Sequence, residues 1–175
     1  MFDNYRNLLQ KIDAFVAGVM KKHPDSFRCG PGCAKCCVSG ISVWRVEADH
    51  IAASKASNAS KASNVGETCT FLDDQNRCTI YEARPVVCRL WGAPLMIPAG
   101  REGEWGIRDH RSDPREMGTL TCCDLNFGED LKLQDLQIGD AINVETVIKT
   151  LAAINHLYCK ENGFDPEERT PLLPT

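Results

Sequence analysis

The sequence predicts a small, mainly α, loop-rich single domain with a middle organised by cysteine. Three observations predict it. Apolar residues recur at three- and four-residue steps near both ends, over residues 3–22 and 143–162. Between them, glycine- and proline-rich stretches interrupt regular structure at 28–40 and 93–121. And 10 of the 175 residues are cysteine, four of them in the nine-residue run C-G-P-G-C-A-K-C-C from Cys29 to Cys37.

The length suits one domain with a sizeable core, residues 1–175, with a cysteine-cluster core at about 29–123 and a C-terminal helix at about 143–162. No internal repeat or domain boundary is visible. Hydrophobic content is 43% and charged content 25%, ordinary for a globular chain. A net charge of −4 and a sequence pI near 5.6 argue against a nucleic-acid partner, because phosphate binding calls for a basic face. No apolar run approaches the roughly 20 residues of a membrane span. The first turns are charged, unlike a signal peptide, so a cytoplasmic location is expected. In that reducing compartment a high cysteine density points to metal or redox chemistry rather than disulfides.

The elements follow in chain order. In the first helix, 3–22, Tyr5, Leu8, Leu9, Ile12, Phe15, Val16, Val19 and Met20 form the buried stripe. Asp3 suits its start, Lys21, Lys22 and His23 suit its negative end, and Pro24 stops it. Gly30, Pro31 and Gly32 make 28–40 a loop. A helix is predicted over Val46–Ala56, with Val46, Ile51 and Ala52 packing, followed by a small-residue connector from Ser57 to Asn64. In the second cysteine segment, Phe71-Leu72 and Ile80-Tyr81 flank Asp73-Asp74-Gln75-Asn76, a turn signal that predicts a short hairpin or a pair of turns. A helical turn fits within Ile80–Val87, with Arg84 held extended by Pro85. Short strands are expected at 95–97 and 104–107. For the last helix, Asn143 is the N-cap, and Val144, Val147, Ile148, Leu151, Ile154, Leu157 and Tyr158 form the stripe; Gly163 ends it. The tail from Asp165, with three prolines, is expected to be loosely ordered or draped over the surface.

The chemistry lies in the cysteines. Cys33-x2-Cys36 lets two thiolates meet one metal. Cys37, next to Cys36, does not easily reach the same ion from the same side, so the cluster has ligands for two centres, or for one centre and a reactive thiol. Cys69, Cys78 and Cys88 follow, and Cys122 or Cys123 would make an eighth. Eight thiolates are what two four-cysteine sites require, whether zinc or iron–sulfur. Soft thiolates exclude magnesium and calcium. One dense run with scattered later cysteines is nearer to iron–sulfur ligation than to paired zinc knuckles. Among the histidines His23, His50, His110 and His156, only His156 stands at knuckle spacing from a cysteine, Cys159, and a packed or exposed helical pair explains that spacing better. Arg84 either pairs with Glu82 or faces the thiols, the first being favoured. Tyr81 and Trp91 are expected to wall the site from water. No phosphate loop, G-x-S-x-G or H-E-x-x-H is present.

The two segments resemble the YkgJ-type CxxCxxCC cysteine-cluster family, described as a zinc- or iron-chelating domain. The resemblance rests on Cys33-x2-Cys36-Cys37, on C-T-F-L at 69–72 and above all on C-T-I-Y-E-A-R-P-V-V-C-R at 78–89. It covers roughly 29–92, with Cys122 looking like the family's later cysteine. The first gap, Gly30-Pro31-Gly32, has three residues where the family name implies two. The resemblance implies metal or cluster binding. Members are often labelled iron–sulfur oxidoreductases, a label that claims more chemistry than the motif carries. The metal ligands expected are Cys29, Cys33, Cys36, Cys37, Cys69, Cys78, Cys88 and Cys122; no catalytic residue is assigned. Three functions stay open: an iron–sulfur protein in redox or electron transfer, a structural zinc protein, and a metal-handling or partner-binding module. A redox or metal-donor protein is the partner such a chain would meet.

Overall fold

The computed structural model describes residues 2–54, 68–99, 112–115, 118–127 and 136–172, with 112–115 described by their backbone. The connector 57–64 and the expected strand 104–107 lie outside these residues. Among them are the helices α1 (Asp3–Lys22), α2 (Arg45–Ala53), α3 (Val86–Leu90) and α4 (Val144–Asn162). The strands are β1 (Ser42–Trp44), β2 (Leu95–Ile97), β3 (Ser112–Arg115), β4 (Gly118–Thr121), β5 (Ile142–Asn143) and β6 (Arg169–Pro171). Helix predominates, but the mainly α expectation understates the strands. Five of the six strands were not foreseen as such, because segments of two to four residues are too short to show the alternation that marks a strand.

The chain divides into two compact units. The first comprises Met1–Leu9, Gly30–Arg89 and Leu151–Thr175; the second comprises Gln10–Cys29 and Leu90–Thr150.

In the second unit the strand order is β3-β4-β2-β5. β4 is antiparallel to both neighbours, with Met96 opposite Leu120, and β5 runs parallel to β2. Gly118 is required by close approach: at φ +139°, an added Cβ would lie 2.0 Å from the Ile97 carbonyl oxygen. Val19, Met96, Leu120, Cys122, Phe127 and Leu136 form the core, with Phe15 and Phe27 against it. Lys22, expected only to complement the helix end, donates to Asp140 at 2.8 Å, and His23 lies 3.4 Å from the same carboxylate. Burial opposes ionisation of Asp140, but bonds from Lys22, His23 and the Gln137 N–H hold its pKa below the usual value. Asn143 caps α4 as expected, its Oδ1 accepting the Thr146 N–H at 2.9 Å.

In the first unit β1 pairs antiparallel with β6. As far as Leu172 the tail is therefore not loose: Leu172 donates its N–H to the Ile41 carbonyl at 2.8 Å and packs on the core of Ile51, Phe71, Ile80 and Ala83. Gly163 (φ +75°) ends α4 as foreseen, and the Phe164 N–H bonds to the Cys159 carbonyl. The predicted stripe of α4 fails at Leu157, which is 52% exposed. Asn155 is buried instead, because it serves two backbones: Oδ1 accepts the Val46 N–H at 3.1 Å and Nδ2 donates to the Pro166 carbonyl at 2.9 Å. α2 buries Val46 and Ile51 as expected but leaves Ala52 exposed.

α2 also supplies the buried carboxylate of Glu47. Its Oε2 accepts the Trp44 N–H at 3.0 Å, reaching back to the start of its own helix. Its Oε1 accepts the Val86 N–H, the first of α3, also at 3.0 Å. One side chain thus satisfies orphan donors of two helices and pins α3 to α2. Glu47→Ala would leave two N–H groups unpaired, each costing about 1–3 kcal/mol where water cannot reach. The expected outcome is a lower urea midpoint, with little change for Glu82→Ala, whose side chain is exposed. Equal midpoints for the two variants would contradict this role.

Candidate metal centre

The first cysteine run is two tight turns in succession. Cys33 donates its N–H to the Gly30 carbonyl and Cys37 to that of Ala34, each at 3.0 Å. Pro31 and Gly32, at φ +89°, supply the residue pair a type II turn prefers. The run then pairs with the second segment: Val38 bridges Thr68, and the Cys69 N–H donates to the Cys37 carbonyl at 3.0 Å. The two stretches close on each other as their sequences suggested.

The second segment begins as the foreseen hairpin. Leu72 bridges Cys78, and the Thr79 N–H bonds to the Phe71 carbonyl at 2.8 Å. Asp73 builds the turn, accepting the Gln75 and Arg77 N–H groups and pairing with the Arg77 guanidinium, while Asn76 takes a left-handed conformation at φ +57°. A 3-10 turn over Tyr81–Ala83 follows, and Arg84 is extended ahead of Pro85. Buried Arg89 closes this bend by donating to the carbonyls of Arg84 (3.0 Å) and Glu82 (2.5 Å). Cys88 is thus carried on a short helix held at its start by Glu47 and over its bend by Arg89.

This scaffold groups thiols. Cys69 and Cys78 pack on the apolar cluster of Ile51, Phe71, Ile80 and Ala83. The Cys36 thiol donates to the Cys37 sulfur, which raises the pKa of Cys36 and lowers that of Cys37. Repulsion from Cys69, Cys78 and Cys88 works against the Cys37 thiolate. Burial, then Cys69, Cys78 and Cys36, push Cys88 up to about 12. Burial and Cys69 push Cys78 up, while Arg84 draws both Cys78 and Cys36 down. Cys36, Cys37, Cys69, Cys78 and Cys88 therefore feel one another in a single unit. The Arg84 guanidinium lies 3.8 Å from the centroid of the Tyr81 ring. Tyr81 is 58% exposed, so it is not the shielding wall expected of it.

The other cysteines are placed differently. Cys33 is half-buried between the two turns of the first run. Cys29 and Cys122 fall in the second unit. Cys29 lies beside the Asn126 amide. Cys122 is a core residue whose thiol approaches the carbonyls of Cys123 (3.4 Å) and Asn126 (3.7 Å). Cys123 is buried, and Cys159 is buried 3.6 Å from the Asn155 Oδ1. His156 is exposed. No disulfide joins any of the ten cysteines.

Among the described residues, no three His, Cys, Asp or Glu side chains converge tightly enough to enclose a metal ion. The donor chemistry nonetheless fits a soft metal. Besides burial and backbone hydrogen bonds, the groups that shift Cys36, Cys37, Cys78 and Cys88 are other thiols, Arg84 and Glu47, with no imidazole among them. Residues 28–110 match the model of the CxxCxxCC family, whose description is "Putative zinc- or iron-chelating domain". The match spans a little under half of the chain. Neither a curated protein nor a solved structure matches the chain. No described helix is long and apolar enough to cross a membrane.

Glu47, Arg89 and Asn126 escaped the sequence reading. Only Glu47 had a local signal, a glutamate three residues after the helix cap Trp44.

The raised pKa values have a measurable consequence. In the metal-free protein Cys36, Cys78 and Cys88 hold their protons at neutral pH, and a metal must displace them. Zinc added near pH 7 is expected to release roughly two or more protons per ion, and its apparent affinity is expected to rise with pH across the neutral range. A pH-independent affinity without proton release, followed in weakly buffered solution, would contradict the thiol assignment.

Proposed function

We propose that this protein holds iron as an iron–sulfur centre on the thiolates of its first unit and serves in electron transfer or redox chemistry. The observation that carries the reading is the grouping of Cys36, Cys37, Cys69, Cys78 and Cys88: Cys36 and Cys37 act directly on each other, and Cys69 and Cys78 act on both Cys37 and Cys88. Cys33, on the turn before Cys36, is the sixth sulfur this unit offers. A bound cluster would supply one-electron chemistry at a potential set by the hydrogen bonds and burial around its sulfurs.

The protein's own residues have definable parts. Cys37, whose pKa is lowered by the Cys36 thiol, is the ligand most ready to meet a metal. Arg84 brings a fixed positive charge to the ligands and offsets part of their negative charge. Ile51, Phe71, Ile80 and Ala83 keep water from the inner side of Cys69 and Cys78. Glu47 and Arg89 hold the backbone that presents Cys88.

A structural zinc site is the second reading. The family description names zinc beside iron, and the direct backbone bond between the segments suits a metal that only clamps them together. Analysis of protein purified without oxygen separates the two. The expected product is brown, absorbs in the visible from sulfur-to-iron charge transfer, and contains iron and inorganic sulfide. A colourless product with stoichiometric zinc would overturn the iron–sulfur reading in favour of the second, and protein with neither metal would overturn both.

A further inference from the structure

Tyr5, on the part of α1 that belongs to the first unit, is completely buried. Its ring meets the His50 ring edge to face, with centroids 5.1 Å apart and an interplanar angle of 73°. His50 and Glu47 stand three residues apart on α2 and share a face of that helix. The phenol is therefore lodged against the face of α2 that carries the buried carboxylate.

Among the described residues the Tyr5 hydroxyl has no hydrogen-bond partner. A buried hydroxyl in that state is costly, and phenylalanine would fill the same space without the cost. The groups around it are few. Burial, then the Glu47 carboxylate, raise the pKa of Tyr5; Arg89 lowers it, and Cys88 raises it. Arg89 is a donor only. The His50 Nδ1, likewise buried, is also without a partner among the described residues. Glu47 lies near the hydroxyl but outside hydrogen-bond geometry, and each of its oxygens already accepts a backbone N–H, from Trp44 and from Val86. Cys88 is the neighbour that remains, two residues beyond Val86 on α3. A thiol sulfur is a weak acceptor, whereas a metal-bound sulfur carries more negative charge and accepts readily.

We propose that Tyr5 is a positioning residue for the metal centre, its buried hydroxyl being the hydrogen-bond donor to the Cys88 sulfur once that sulfur is bound to metal. The proposal rests on the metal-binding reading, with Cys88 among the ligands, and every group it uses lies in the first unit. Tyr5 itself stands outside the matched segment 28–110. Outer partners of this kind hold a ligand in place and typically change metal affinity by roughly 10- to 100-fold when lost.

The test uses Tyr5→Phe, which removes the hydroxyl and keeps the ring, in the full-length chain. Two quantities are measured: the urea midpoint of metal-free protein, and zinc affinity by competition with a chromophoric chelator. The metal-free variant is expected to unfold at the wild-type urea concentration or above it, because a buried group without a partner is lost. Its zinc affinity is expected to fall by roughly tenfold or more. Cys88→Ala completes a double-mutant cycle, and in that background Tyr5→Phe is expected to change zinc affinity by less than about twofold. A lower urea midpoint for metal-free Tyr5→Phe would mean that the hydroxyl serves the fold alone, and would overturn the proposal. Unchanged zinc affinity in Tyr5→Phe, or an equal loss with and without Cys88, would overturn it as well. Unchanged zinc affinity in Cys88→Ala would overturn it while sparing the metal reading. A wild type that binds no zinc would overturn the metal reading and the proposal together.

Discussion

The direct pairing of the two cysteine segments, centred on the bond from the Cys69 N–H to the Cys37 carbonyl, is the constraint on which the rest of the first unit depends. It gathers Cys36 and Cys37 with Cys69, Cys78 and Cys88, which no local sequence contact would achieve. Gathering them has an electrostatic cost. Each thiolate that forms in this half-buried setting repels the others and loses water, so most stay protonated. Arg84 is a permanent cation acting on this group, and it eases the problem without removing it. A multivalent soft metal removes it fully, which makes metal affinity and folding stability two sides of one quantity.

The surrounding structure serves that gathering. The Asp73 turn returns the chain so that Cys69 and Cys78 reach the same apolar cluster. Pro85 ends the 3-10 turn, Arg89 clasps the bend, and Glu47 holds the first N–H of α3. These are backbone devices, and they act before any sulfur meets a metal. Their effect is to fix the backbone that carries Cys88.

The parts of this fold that were legible in the sequence are those written in a local code. α1 and α4 each repeat an apolar period across several turns, Asn143 and Gly163 are ordinary end signals, and Asp73 to Asn76 can hardly be anything but a turn. The strands were harder. β4, Gly-Thr-Leu-Thr, and β6, Arg-Thr-Pro, are defined by what they pair with rather than by their own pattern. Leu157 and Asn155 show the same limit inside a helix: burial follows the two backbones that need an amide, not hydropathy. For the site, the spacing identified the cysteine-rich segments but did not sort the thiols. Cys122 lies in an apolar core and Cys159 beside Asn155, surroundings that only tertiary structure creates. Asn126 has no sequence signal, because its partners lie 98 and 34 residues away.

The central claim is that sulfur, and little else, surrounds the metal this protein binds. X-ray absorption at the metal edge, on protein isolated without oxygen, tests it most directly. The account predicts a first shell dominated by sulfur at about 2.3 Å, joined by a short metal–metal distance if the centre is an iron–sulfur cluster. A first shell dominated by nitrogen and oxygen would contradict it.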